Sequence, residues 1–424
     1  MKNHTTTLEA YLQEQQNKNN ALAKFLSHPH DGATYTPKEI AQQPYLWRQT
    51  AATMADQTEG LKSFLQKAGL YNMKECPNLI LTGAGTSDYV GLSLVDLLRT
   101  TFKTNCNNWP TTRITTNPDA FLTDNSNYVM LHFARSGNSP ESIGVLEMAL
   151  AHYPNVTHHI IITCNKDGQL ANLADQHREK VYSIILDDAT NDKGLAMTSS
   201  FSNMVVAGQA LAHLDDINRF QDLIDRTAKA GEYLMHNYSN VIHDLASPSV
   251  TRAFYLGNNE LFGAAAESAL KVQELTAGQL IAKGEDTMAF RHGPVSAVDS
   301  NTLVCFLLSA DKYTMRYELD VLYQFRNQFQ KLGTQTAVIC AQTPEKENNN
   351  GDGQDLTHYI AYDPEGEFNI PNYYQANVHV LFGQLFGLFS SYRRGINVDD
   401  PSSHNNALYS RTVQGVKLYD RIAE

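Results

Sequence analysis

The chain's first chemical opportunity lies in hydroxyls and glycines set where backbone amides stay open. Leu81-Thr82-Gly83-Ala84-Gly85-Thr86-Ser87-Asp88-Tyr89-Val90-Gly91 runs from an apolar strand, through a turn, into a helix. Such a turn offers N–H groups and hydroxyls to an anion at a helix N-terminus. Gly83 and Gly85 match the first two glycines of a dinucleotide fingerprint, but Asp88 stands where the third belongs. No acidic residue follows about 20 positions on at a second strand end to hold a ribose. No Gly-Lys-Ser/Thr follows either, so a Walker loop is excluded. What remains is a cradle for a small phosphate, with Gly85, Thr86 and Ser87 as its ligands. The competing reading is a plain glycine-capped turn.

Two further hydroxyl loops favour the cradle. Asn127–Phe133 reads as a buried parallel strand and ends in Ala134-Arg135-Ser136-Gly137-Asn138-Ser139-Pro140-Glu141. Pro140 suits the first helical position, which makes Ser139 the N-cap and Glu141 favourable in the first turn. Ser136, Asn138 and Ser139 then surround an anion site. Arg135 can grip phosphate bidentately, or pair with Glu141. A third loop, Gly194–Ser202, carries Thr198 and Ser199 ahead of another helical pattern. Three such loops after strands point to one polar pocket at the carboxyl ends of a parallel sheet.

Acid-base chemistry needs different residues. Glu267, Lys271 and Glu274 fall at i, i+4 and i+7 on one face of a helix at about 262–281. By spacing alone this is a solvated face with pairing worth about 0.3–0.5 kcal/mol. His292, in Phe290-Arg291-His292-Gly293-Pro294, reads by itself as a surface turn residue.

The elements that position these residues alternate along the chain. Residues 1 to about 50 are polar and helical, an arm preceding the first domain. Strands are expected at 78–83, 112–116, 127–134, 159–164 and 180–186, separated by helices: a doubly wound α/β domain over 51–214. A long amphipathic helix links at 215–247 and ends at Pro248. A second α/β series covers 248–395, with strands near 252–257, 302–309, 335–341 and 357–362. The loop at 345–353 reads as solvated, an apolar helix follows near 372–391, and an irregular tail spans 396–424. The halves look duplicated. Tyr255-Leu256-Gly257-Asn258-Asn259-Glu260 sits where the first half has Thr82-Gly83-Ala84-Gly85-Thr86, without the hydroxyls. The first half should therefore hold the phosphate.

At Gly85-Thr86-Ser87 and Ser136-Gly137-Asn138-Ser139 the chain resembles the sugar isomerase (SIS) domain family. The resemblance covers roughly residues 50 to 420 as two tandem, Rossmann-like SIS domains. It is similar to the isomerase half of the enzyme that makes glucosamine 6-phosphate from fructose 6-phosphate. In particular it resembles the bacterial galactosamine-6-phosphate deaminase and tagatose-6-phosphate ketose-aldose isomerase proteins, whose N-terminal signature Glu39–Trp47 matches. The resemblance implies that Glu274 shuttles a proton between C1 and C2 of an open-chain sugar, a task that suits a carboxylate raised toward neutrality by burial. It implies that Glu267 and Lys271 line the same pocket. It also implies that His292 opens the sugar ring, and that this histidine can be lent by a neighbouring subunit, hence a homodimer or a dimer of dimers. Arg291 replaces the family's lysine there, and the gap from Glu274 to His292 is slightly longer. In the tail, Gln414 stands where the aminotransferase has a ring-opening lysine, so that role is not carried over. Lys417, His404 and Arg411 are weaker candidates.

The resemblance implies a galactosamine-6-phosphate deaminase giving tagatose 6-phosphate and ammonia. Alternatives are a tagatose-6-phosphate ketose-aldose isomerase or a sugar-amine 6-phosphate deglycase. Glutamine is not the expected nitrogen source, because residue 2 is Lys and no cysteine precedes Cys76. A non-catalytic sugar-phosphate sensor is the alternative of another class. It should lack the acid-base set and carry a DNA-binding module, and the chain shows the reverse. The net charge of −12 argues against a nucleic-acid partner. Five scattered cysteines without C-x-x-C spacing indicate neither zinc nor a disulfide framework. No metal or cofactor is expected, and no apolar run approaches the length of a membrane span. With no apolar leader, the chain is expected in the cytoplasm.

Overall fold

A computed structural model describes residues 7–28, 31–71, 76–344, 356–405 and 417–419. In chain order, five helices come first: α1 (Leu8–Gln16), α2 (Ala21–Ser27), α3 (Thr36–Ala41), α4 (Gln43–Asp56) and α5 (Thr58–Lys67). Next are β1 (Asn78–Thr82), α6 (Thr86–Phe102), β2 (Cys106–Asn108), α7 (Thr111–Thr116), β3 (Tyr128–Ala134), α8 (Pro140–His152), β4 (Val156–Thr163), α9 (Gln169–Gln176), β5 (Val181–Ile185) and α10 (Ser199–Ala210). The long α11 (Ile217–Leu245) leads to β6 (Arg252–Leu256), α12 (Glu260–Leu275), β7 (Ile281–Glu285), β8 (Thr302–Leu307), α13 (Lys312–Phe329), β9 (Gln335–Cys340), β10 (Thr357–Ala361) and α14 (Ala376–Arg393).

The chain divides into two units. One comprises Gln49–Asn191 and Ser200–Gln221, with residues 417–419; the other comprises residues 7–48, Asp192–Ser199 and Asp222 onward to 405. The first holds an all-parallel sheet of order β2-β1-β3-β4-β5, the second one of order β10-β9-β8-β6-β7. Read from its other edge, the second order is β7-β6-β8-β9-β10, the same winding. Each sheet starts at an inner strand, steps to one edge, then reverses. The reversal places a topological switch point between β1 and β3, and another between β6 and β8. In open parallel sheets, ligands bind in the crevice at the carboxyl ends of such strands. Helices cover both faces, so β3 and β8 are buried along their whole length, as parallel strands are.

Each sheet has its own core. Ile80, Met130, Val145 and Val156 pack on one face of the first, and Leu146, Ile161 and Leu170 form a second cluster. Phe254, Phe306, Phe325 and Val338 fill the second sheet's core. The duplication extends to backbone angles. Gly85, before α6, has φ 58° and ψ −126°, and Asn259, before α12, has φ 52° and ψ −126°.

One expected strand needs correction, and one strand was not expected. Residues 112–116 are helix α7, and the edge strand is β2, a few residues earlier. The threonine-rich segment favours strand locally, but the Thr111 amide and hydroxyl both donate to the Gly83 carbonyl, at 2.8 and 3.1 Å. That anchor starts a helix directly after Pro110, so tertiary context overrides propensity. Strand β7, Ile-Ala-Lys-Gly-Glu, had no strand-like pattern. Its Gly284 is needed because a Cβ there would lie 2.5 Å from the Ala266 backbone on α12. Residues 345–353 lie outside the described residues.

Candidate active site

At the first switch point, the loop after β1 delivers Gly85, Thr86 and Ser87 to the start of α6, with both hydroxyl residues buried. The positive φ of Gly85 turns the chain so that helix amides face the crevice. The loop after β3 carries Arg135, Ser136, Asn138 and Ser139. It is braced by Asn165, in the loop after β4, whose side-chain amide donates to the Ser136 carbonyl at 2.8 Å. Among the described residues, no internal acceptor takes the amides of Gly85, Gly137 or Ser139, and the Ser87 hydroxyl has no internal partner. These open donors are what a phosphate needs.

Side chains in this second loop divide into binders and braces. Ser136 Oγ accepts the Asn138 amide at 3.3 Å, which closes a tight turn. Asn138 Oδ1 accepts the Gln169 amide at 3.0 Å, so this side chain shapes the loop. Ser139 occupies the N-cap position with Pro140 after it, but its hydroxyl donates to Ser142 Oγ at 2.7 Å instead of capping a backbone amide. Arg135 is half-buried, and its guanidinium has no ion pair among the described residues, Glu141 included. A cation held unpaired at a strand's carboxyl end is available to an anion. Asp88, in the first turn of α6, accepts from Asn108 Nδ2 at 2.7 Å. Burial pushes its carboxyl up to about 6, against the pull of the Asn108 amide and Arg113.

The third hydroxyl loop does not serve as expected. Thr198 and Ser199 are fully buried and committed inward. Asp192 accepts from the amides of both, at 2.8 and 2.9 Å, and from the Thr198 hydroxyl at 3.1 Å. The Ser199 hydroxyl donates to the Glu39 carbonyl at 2.6 Å. Glu39 in turn accepts from the amides of Lys193 and Gly194, at 2.6 and 3.2 Å. Burial, with Asp192 beside it, pushes the Glu39 carboxyl up to about 8, against those two amides. Glu39 and Asp192 were not candidates in the sequence, although Glu39 opens the N-terminal signature. The tail contributes a third such carboxylate: Asp399 accepts from the amides of Thr34, Tyr35 and Thr36.

In the other unit, α12 carries the acid-base candidates, and the solvated reading of its polar face fails. Lys271 and Glu267 have fully buried side chains, 3.4 Å apart from Nζ to Oε1. Lys271 Nζ also lies 2.5 Å from Glu274 Oε2, and only Glu274 of the three keeps accessible side-chain surface, 15%. Lys271 thus holds Glu274, the one member of this set whose side chain is accessible. The helix owes its position to α14, where Gly383 packs onto Ser268; a Cβ there would fall 2.3 Å from the serine side chain and 2.8 Å from its Cα. Glu260, at the start of α12, is buried too. His292 ends a short 3-10 turn before Gly293 (φ 132°) and is exposed, with no internal partner among the described residues. Lys417 is exposed; Arg411, Gln414 and the His404 side chain lie outside the described residues.

A doubly wound sheet with open amides and hydroxyls at its switch point defines a SIS-type phosphosugar domain, and residues 72–214 match the SIS domain family. The chain is 34% identical over 388 residues to the D-galactosamine-6-phosphate deaminase AgaS of Escherichia coli, covering 91% of this chain and 96% of that one. A homologue in a Shewanella species with the same name is 31% identical over 395 residues, 92% of each chain. The chain therefore belongs to the AgaS family of SIS-domain proteins. The crystal structure of tagatose-6-phosphate ketose/aldose isomerase from Escherichia coli superimposes with a TM-score of 0.78 at 31% identity, covering 93% of this chain and all of that one.

Proposed function

We propose that this protein is an amino-sugar-phosphate deaminase/isomerase that converts galactosamine 6-phosphate and water to tagatose 6-phosphate and ammonia. The observation that carries the reading is the buried Glu267–Lys271–Glu274 set with only Glu274 accessible, in a chain of the AgaS family. The phosphate goes to the amides of Gly85, Gly137 and Ser139, which are open among the described residues, the hydroxyls of Ser87 and Ser136, and the Arg135 guanidinium. His292 assists ring opening, and its exposure without an internal partner suits loan to a second copy in a homodimer.

Glu274 takes the C2 proton of the open-chain amino aldose, leaving an enolate whose charge is shared by C2 and the carbonyl oxygen, and protonation of that oxygen gives the neutral enolamine. Protonation at C1, with loss of a proton from nitrogen, gives the C2 imine. Water adds at C2, ammonia leaves, and the ketose phosphate remains; no electrons are gained or lost. General acid-base transfer of this kind contributes about 10²–10⁴-fold. The same steps without nitrogen interconvert aldose and ketose phosphates, the activity named for the Escherichia coli isomerase. We place the protein in the cytoplasm, where its five free thiols stay reduced. Purified protein is assayed on galactosamine and glucosamine 6-phosphates for ammonia release, and on tagatose 6-phosphate for aldose formation. Ammonia from galactosamine 6-phosphate supports the reading. Isomerisation alone replaces it with the simple isomerase, and neither activity removes it.

A further inference from the structure

The two switch points share one winding and one backbone turn, yet they treat an anion in opposite ways. At the first, the amides of Gly137 and Ser139 have no internal acceptor among the described residues. At the second, in the loop after β8, each amide has an acceptor. Ser309 N–H donates to Glu318 Oε2 at 2.8 Å, Ala310 N–H to Gln375 Oε1 at 3.0 Å, and Asp311 N–H to Ser309 Oγ at 3.1 Å. The other Glu318 oxygen accepts from Asn258 Nδ2 at 2.9 Å. Asn258 lies in the loop after β6, directly before the left-handed Asn259 that starts α12. Glu318 reaches this place from α13 and is fully buried; burial, with Glu260 and Asp286 near it, pushes its carboxyl up to about 7, against the Ser309 amide and the Asn258 side chain that favour the charged form, so it is an anion above about pH 7. One carboxylate thus bridges the two loops of the second switch point, the β6 loop and the β8 loop.

We propose that Glu318 is a resident anion, occupying in the second half the place that a substrate phosphate takes in the first. Two consequences follow. The second switch point is closed to phosphate esters, so each chain holds one sugar phosphate. Glu318 also becomes a positioning residue, since through Asn258 it fixes the start of α12, the helix that carries Glu267, Lys271 and Glu274. The duplicated half has kept the anion-organised geometry and made the anion its own. The second consequence rests on the proposed reaction; the first does not.

The test is Glu318→Ala in the full chain, with acetate as the probe for the vacated carboxylate slot. Acetate should raise the thermal midpoint of Glu318→Ala saturably, while chloride at equal ionic strength does not, and wild type should show no acetate-specific shift. With sugar phosphate, kcat should fall by about 10–100-fold, the scale for a displaced catalytic group. KM should stay within about two-fold, because the phosphate ligands are untouched, and acetate should restore part of kcat. Identical acetate responses in variant and wild type overturn the proposal. If Glu318→Ala does not fold, Glu318→Gln fills the slot without charge. It should show reduced kcat, unchanged KM and no acetate response, and wild-type kcat in that variant overturns the proposal. Should the chain prove inactive on all sugar phosphates, the acetate-dependent midpoint still decides whether Glu318 is a resident anion.

Discussion

Replacing Lys271 by Met decides how the polar face of α12 works. Methionine keeps most of the side-chain stem and removes the ammonium. On a solvated face the change would forfeit about 0.3–0.5 kcal/mol. The side chains of Lys271 and Glu267 are instead fully buried, and Glu274 is 15% accessible. Removing the lysine therefore strands two carboxylates in a low-dielectric site, and breaking a buried pair in this way costs about 3–5 kcal/mol. In a unit of this size each kcal/mol moves the melting midpoint by about 2–4 °C, so Lys271→Met should melt about 6–20 °C below wild type. Thermal and urea unfolding by circular dichroism measure this directly. Adding Glu267→Gln removes one stranded charge, and the double variant should recover part of the loss, giving a coupling energy above about 1 kcal/mol. A loss under about 1 kcal/mol in the single variant, with additive effects in the double, would refute the buried-cluster account.

Other expectations follow from the same structure. Ser136→Ala should weaken sugar-phosphate binding by about 1–3 kcal/mol, the scale for a lost hydrogen bond to a charged group. Calorimetry checks it, and equal wild-type affinity for sugar and sugar phosphate would count against the cradle. Burial holds His379 on α14 down at about 3, beside the Tyr362 hydroxyl at 3.2 Å. The unfolded chain takes up that proton below about 6.5 while the folded one refuses it, so this contribution to stability is full above 6.5 and is lost as pH falls. By pH 5 the loss is about 2 kcal/mol, and His379→Gln should flatten the fall between pH 7 and 5 by that amount. Unchanged slopes in denaturant titrations would contradict it. Gly383→Ala should destabilise by about 1–3 kcal/mol through overpacking and lower kcat with it, because α12 must back away from α14; wild-type stability would show that Ser268 gives way freely.

Local chemistry made much of the first half legible. The apolar β1 and β3, the left-handed Gly85, and Ser139-Pro140 at a helix start each carry their own signal, and all lie where the pattern puts them. Legibility ended where partners are distant in sequence. A Glu-x-x-x-Lys-x-x-Glu face looks the same whether water or protein lies over it, so the burial of Lys271 could not be read. Thr198 and Ser199 carry the right groups for phosphate, but Asp192 and Glu39 claim them, and only Asp192 is near in sequence. Strand β7 exists because α12 needs a floor at Gly284, and residues 112–116 are a helix because Gly83 anchors Thr111. Glu318 had no sequence signal at all, since its role depends on a loop contributed by another strand.

Proton transfer by Glu274 is the central claim, and solvent deuterium incorporation beside the substrate carbonyl tests it most directly. Wild type and Glu274→Gln are incubated in D₂O with galactosamine 6-phosphate and with tagatose 6-phosphate, and exchange is followed by NMR. Glutamine preserves shape and the capacity to bind while removing the base. Wild type should wash deuterium in even where net turnover is slow. Glu274→Gln should bind substrate with near-wild-type affinity and exchange at least about 10²–10⁴-fold more slowly. Undiminished exchange in Glu274→Gln would contradict the account and leave Glu274 as a structural partner of Lys271.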